Sequence, residues 1–299
     1  MRRRGNYKLL DKFSWYVPGI GGILALMALL MVGALAGAIV NWIAIAAFGT
    51  EVALSYGQVI SYPVMFIPPM IYASIKSASC SAENTGYRLD SENFTPLGAA
   101  ACALLACAGT LAIGFCCDGI NALLPEMPEY LKEAMQSLTG GNFLLNFICV
   151  GIFAPFFEEW LCRGMVLRGL LKGTRMHPAA AIPLSALVFA IIHFNLWQAV
   201  PAFIMGCLFG YVYYRTGSLK ITMLMHAVNN TFSLICGHID ALEDMDSWMD
   251  VMPYGTYALI SAACFLLICL VILAFRKIPV NTPGGNIDET APIFESYEV

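Results

Sequence analysis

From Phe13 to Thr50 the chain carries no charged side chain, and Pro18 to Phe48 within that stretch is an almost unbroken apolar run. A bilayer's hydrocarbon core is about 30 Å thick, and about 20 helical residues cross it. Further apolar runs follow along the chain, so few folds other than a membrane bundle remain open. Composition agrees. Hydrophobic residues make up 59% of the 299 and charged residues 12%, about half the charged share usual for soluble proteins. A soluble core of this length could not hide that much apolar surface. The expected fold class is all-α, a polytopic membrane protein. The first run is too long for a signal-peptide core and lacks a clear cleavage end, so it is expected to stay on the mature chain. The net charge is −4 with no basic block, which argues against nucleic acid as a partner.

Read at 20 residues per crossing, the runs give about eight spans: 18–48, 57–75, 96–117, 142–157, 178–196, 198–215, 219–236 and 253–275. The fourth is expected to continue as helix to about Leu171, because no proline interrupts Phe156 to Lys172. With the N-terminus in the cytosol, fifteen of the sixteen Lys and Arg collect on the cytosolic side, leaving Lys132 outside. That separation follows the positive-inside rule and places both termini in the cytosol. The expected organisation is a single bundle over 1–280, with its core at about 142–236, and a mobile cytosolic tail over 281–299. Ser77–Thr95 reads as a polar cytosolic loop and Pro125–Leu138 as an amphipathic helix on the outer face. Ten of the eleven cysteines lie in or beside apolar runs and there is no CxxC pair, so they read as free packing thiols. Gly33-xxx-Gly37 and Gly206-xxx-Gly210 read as close helix contacts. A bacterial plasma membrane is the expected location.

Ionisable groups inside apolar helices are costly, by roughly 2.5–3.5 kcal/mol for an Asp at the helix centre on insertion scales. They persist where they face a protein interior or a wet cavity. This chain places such groups on three runs: Glu158, Glu159 and Arg163; Phe189 and His193; His226 and Asn230. Glu159 and Arg163 stand one turn apart, the spacing of an intrahelical ion pair. His226 and Asn230 share a stripe in the same way. At about 1.5 Å per residue, depths from the expected cytosolic ends are roughly 20 Å for Glu158, 22 Å for His193, 10 Å for His226 and 16 Å for Asn230. The groups therefore fall in one band of the membrane. Each alone admits a packing explanation: a self-neutralising Glu–Arg pair, or a histidine bonded to its neighbour helix. Together they point to one polar pocket.

These residues spell EExxxR, FxxxH and HxxxN in order, and in this the chain resembles the CPBP (Abi) family of intramembrane proteases, related to type II CAAX prenyl endopeptidases. The resemblance covers about residues 150–236. It implies an eight-helix bundle and hydrolysis of peptide bonds in a membrane-associated protein or peptide, within a cavity open to the cytosol and to lipid. Hydrolysis requires an activated water, a proton donor for the leaving amine and donors to the tetrahedral oxyanion. Glu158 and His193 would hold and deprotonate the water, His226 and Asn230 would stabilise the oxyanion, and Arg163 would fix the acids through Glu159. The resemblance implies no tightly held metal. A zinc or other divalent-metal reading stays open, with Glu158, His193 and His226 as a His₂Glu set, although the HExxH spacing is missing. The implied partners are the lipid bilayer and the membrane-bound substrate. The rival readings are a non-proteolytic immunity or scaffolding protein using the same pocket and, further off, a transporter.

Overall fold

The computed structural model describes residues 10–82, 89, 90, 93–132, 135, 142–239, 242, 245 and 247–280. Among these the regular structure is helical throughout. Eight principal helices succeed one another: α1 (Ile20–Phe48), α2 (Thr50–Ala82), α3 (Ala99–Asn121), α4 (Phe143–Gly173), α5 (Pro178–Ile191), α6 (Leu196–Thr216), α7 (Leu219–Cys236) and α8 (Tyr254–Arg276). α4 lies at the centre, against α2, α5 and α7, while α1 packs along α2 and α8 along α3. Among the described residues, six helices are long and apolar enough to cross a membrane: α1 to α4, α6 and α8. The chain is a multi-pass integral membrane protein.

The other two refine the count of spans. α5 has 14 residues, about 21 Å of helix, short of the apolar thickness. α7 has 18 residues, but His226, Asn229 and Asn230 lower its hydropathy. α7 carries polar site residues itself, and α5 leads directly into the turn that bears His193. α2 is longer than expected and takes residues 77–82 from the polar loop. Residues 83–88, 91 and 92 of that loop lie outside the described residues, as does the whole tail from 281 to 299. Of the outer-face segment, 129–132 are helical, whereas 133, 134 and 136–141 are outside the described residues.

The glycine pairs behave as their spacing suggested. A Cβ on Gly33 would sit 2.0 Å from the Met65 carbonyl oxygen, and one on Gly37 2.7 Å from that of Ser61. The donor that would ordinarily cover the Met65 carbonyl is the amide of residue 69, which is a proline. Only glycine lets α1 approach the bare oxygen this closely. On α6, a Cβ on Gly206 would meet Ala186 at 3.0 Å and one on Gly210 would meet Ile182 at 3.1 Å. All eleven cysteines are free.

One end of the bundle is densely tied. Buried Arg168 donates to the carbonyls of Phe13, Ser14 and Tyr16. The Tyr213 hydroxyl donates to Leu89 O at 2.8 Å. Asp90 Oδ1 accepts from the Leu219 amide at 2.9 Å, capping α7 from another segment, and Asp90 Oδ2 pairs with Lys220 at 3.1 Å. Arg215 reaches the carbonyls that end α8. Both chain ends, as far as described, meet here. At the opposite end Asp118 accepts from Ser247 Oγ at 2.9 Å and from the Tyr257 hydroxyl at 3.0 Å, joining α3 to the start of α8.

Candidate active site

α4 is continuous over Phe143–Gly173 but not uniform. It includes π-helical segments at Phe147–Phe153, Trp160–Leu167 and Gly169–Gly173. π turns widen a helix and are frequent at functional sites. The first has a visible cause and effect. The Ala154 amide bonds Cys149 O in the i→i+5 pattern. Continuing that register, Val150 O would need the amide of residue 155, a proline without one. Asn230 of α7 supplies the missing donor: its Nδ2 bonds Val150 O at 2.8 Å. Asn230 Oδ1 in turn accepts from Asn229 Nδ2 at 3.2 Å.

On the next turns α4 presents its acids. Glu159 is fully buried, and its Oε1 accepts from Arg163 Nη1 at 2.8 Å, the expected one-turn pair. Arg163 Nη2 donates to Gly206 O at 3.1 Å, and the guanidinium lies 4.4 Å from the Phe189 ring centroid. A guanidinium on an aromatic face and a carbonyl is well accommodated away from water. The same Glu159 oxygen faces His226 Nδ1 at 3.1 Å. That contact makes Nδ1 the protonated nitrogen and directs Nε2 toward Glu158, whose Oε2 is 3.9 Å away. Glu158 Oε1 accepts from the Tyr62 hydroxyl of α2. Its Oε2 has no hydrogen-bond partner among the described residues.

His193 is placed differently from expectation. α5 ends at Ile191, so His193 belongs to the turn before α6 and not to the helix. Its Nδ1 lies 2.8 Å from Phe189 O. A carbonyl only accepts, so Nδ1 carries the proton and the neutral ring keeps its lone pair on Nε2. Asn195 steadies the turn: its Oδ1 accepts from the Gln198 amide at 2.8 Å as the cap of α6, while its Nδ2 donates to His193 O at 3.0 Å. Phe194 takes a left-handed φ of 54° here, a conformation that costs a non-glycine residue about 1–2 kcal/mol.

Glu158, His193, His226 and Asn230 all line one cavity of about 940 Å³. Glu159 and Arg163 sit behind its wall. The expected depths were unequal because the helices do not start level: α7 begins at Leu219, itself fully buried, which brings His226 up to Glu158. Among the described residues, no three His, Cys, Asp or Glu side chains converge to hold a metal ion. The members of the His₂Glu set therefore do not converge on one point in this arrangement.

Sequence reasoning missed Tyr62 and Asn195 and undervalued Phe189. Phe189 stands between the two imidazoles, with ring centroids 5.0 Å from His193 and 5.5 Å from His226. The Asn195-xx-Gln198 spacing before an apolar run is a helix-start signature that could have revealed the break. Tyr62 had no such signal.

Comparison of the chain with curated proteins and with solved structures found no match. Residues 140–232, just under a third of the chain and home to all six polar residues of the three motifs, do match a family: the one described as type II CAAX prenyl endopeptidase Rce1-like, in agreement with the resemblance of the motifs.

Proposed function

We propose that this protein is an intramembrane endopeptidase, CAAX-protease-like, that cleaves a membrane-associated protein or peptide with a water activated by glutamate and histidine. The observation that carries the reading is the pair of opposed acceptors, Glu158 Oε2 and His226 Nε2, 3.9 Å apart in the cavity wall. That gap is too long for a direct hydrogen bond and suits a water bonded to both at about 2.8 Å. Such a water is held, polarised and next to a base.

Attack then proceeds as follows. Glu158 Oε2 takes a proton from the water as its oxygen bonds to the scissile carbonyl carbon. Tyr62, bonded to the other oxygen, holds the carboxylate in register. The oxyanion that forms is met by the second N–H of Asn230, whose first is held by Val150 O. The C–N bond breaks as the proton passes from Glu158 to the leaving amine, with the His193 Nε2 lone pair placed to accept a hydrogen bond from that amine. Carboxylate and amine products leave and a new water restores the site. Arg163 acts at one remove by neutralising Glu159 and fixing its direction.

The test compares membrane fractions from cells carrying the wild-type chain or Glu158→Gln, with new peptide termini read by mass spectrometry. Termini present in the wild type and lost in the variant, at equal protein levels, are expected. Identical termini in both, or a cellular phenotype that survives the substitution, would overturn proteolysis in favour of a binding role. A chelator is expected to leave cleavage intact.

A further inference from the structure

The helices contribute unequally to the cavity along their lengths. α4 lines it from Cys149 to Glu158 and not beyond, and α7 from His226 to Ser233 and not before. α3 contributes from Ala108 to Asn121, and α6 from Trp197 to Phe209. In each of these helices the lining half is the one that runs toward the Asp118 end. The other halves are closed. Every residue from Trp160 to Leu167 is buried, and Arg168 and Tyr213 below them are fully enclosed. The turn bearing His193 is tied to the Asp118 end as well: Asn121 Nδ2 donates to Trp197 O at 3.4 Å, and Trp197 Nε1 donates to Pro125 O at 2.8 Å.

Charge distinguishes the two ends. Apart from the buried Arg163 and Arg168, every described Lys and Arg but Lys132 lies at or beside the closed end. The open end carries Asp118, Glu126, Glu129 and Asp250. Basic residues are retained on the cytosolic side of membrane proteins.

Building on the proteolytic reading, we infer that the reaction centre is reached from the non-cytosolic face, and that its substrates are extended apolar polypeptide segments presented at that face. The entrance suits such a segment. Phe194, Trp197, Phe232 and Trp248 border the cavity on this side, giving aromatic walls at the level where a chain leaves lipid for water. No cationic side chain among those bordering the cavity would recognise an anionic headgroup or phosphate. This departs from the cytosolic opening that the family resemblance implies.

Thiol labelling tests the access route without using cleavage as its readout. Ser233 is exposed on the cavity wall near the open end, and Cys80 is a native thiol near the closed end of α2. A Ser233→Cys protein is treated with a charged, membrane-impermeant methanethiosulfonate in intact cells and in inverted vesicles, and each site is read from its own peptide by mass spectrometry. The expected result is label at position 233 in intact cells, lost in inverted vesicles, with the reverse pattern at Cys80. Label at 233 appearing together with Cys80, from both faces alike, or from neither, would overturn the inference. Repeating the labelling and the terminus analysis in Glu158→Gln separates the two claims. Unchanged sidedness with the same peptide termini in variant and wild type would sink the protease reading alone, and loss of those termini in the variant with cytosolic labelling at 233 would sink only the access route.

Discussion

The two ends of this bundle solve opposite problems. At the closed end, polar side chains satisfy backbone groups: Arg168 bonds four carbonyls, Tyr213 bonds Leu89 O, and Asp90 caps α7. Around the inner wall of the cavity that opens at the other end, polar groups are left partly unmet. Glu158 Oε2 and Glu159 Oε2 have no hydrogen-bond partner among the described residues. A buried polar atom without a partner costs about 1–3 kcal/mol, so a fold keeps such atoms where they do something. The closed end supplies stability, and on the proposed proteolytic reading the cavity uses some of it for reactivity. Substitutions at the two ends should therefore separate stability from rate.

The largest separation is expected from Glu158→Gln and His193→Ala. Each should lower cleavage by about 10²–10⁴-fold, the range of a lost acid–base group, with normal levels in the membrane; a variant retaining a tenth of wild-type turnover would break the assignment. Next come the two buried arginines. Arg163→Met strands the Glu159 carboxylate, and breaking a buried pair costs about 3–5 kcal/mol, so both thermal stability in detergent and cleavage should fall. Arg168→Met should lower stability by a similar order through the carbonyls of Phe13, Ser14 and Tyr16 and that of Gly164, all of which it bonds, yet leave turnover per folded molecule unchanged. Equal loss of turnover in both would erase the contrast between the ends. Tyr62→Phe removes one bond to a carboxylate, about 1.5–3 kcal/mol, or roughly ten- to hundredfold in rate, and a kcat/KM measurement beside a melting curve should show the rate moving alone. Lys220→Ala breaks an ion pair whose lysine is 53% exposed; such pairs contribute about 0.2–1 kcal/mol, so only a slight stability loss and no change in cleavage are expected.

Much of this was legible in the sequence because helical periodicity is local. The Glu159–Arg163 pair follows from four-residue spacing, and the polar stripe of α7 from the same rule. The bounds of α7 were read without error, since Gly217-Ser218 and Gly237 punctuate both ends. The end of α5 was not legible as read. Nothing between Ile191 and Asn195 is a helix breaker, and FxxxH has the same spacing whether its histidine closes a helix or follows one. Tyr62 was hidden for another reason: its partner is 96 residues away, and a tyrosine in an apolar run reads equally well as an interfacial anchor. The π turns left only Pro155 as a trace, and a proline inside an apolar helix reads first as a simple kink.

That proline has a further consequence for how the molecule is made. Until Asn230 arrives, the Val150 oxygen has no amide on its own helix to meet it, in a medium where an unmet peptide group costs several kcal/mol. The fourth helix is thus incomplete while it waits in the bilayer and is finished only when the seventh, synthesised some 80 residues later, docks beside it. The same docking carries His226 to Glu158, so the two sides of the 3.9 Å gap meet only once the seventh helix is in place.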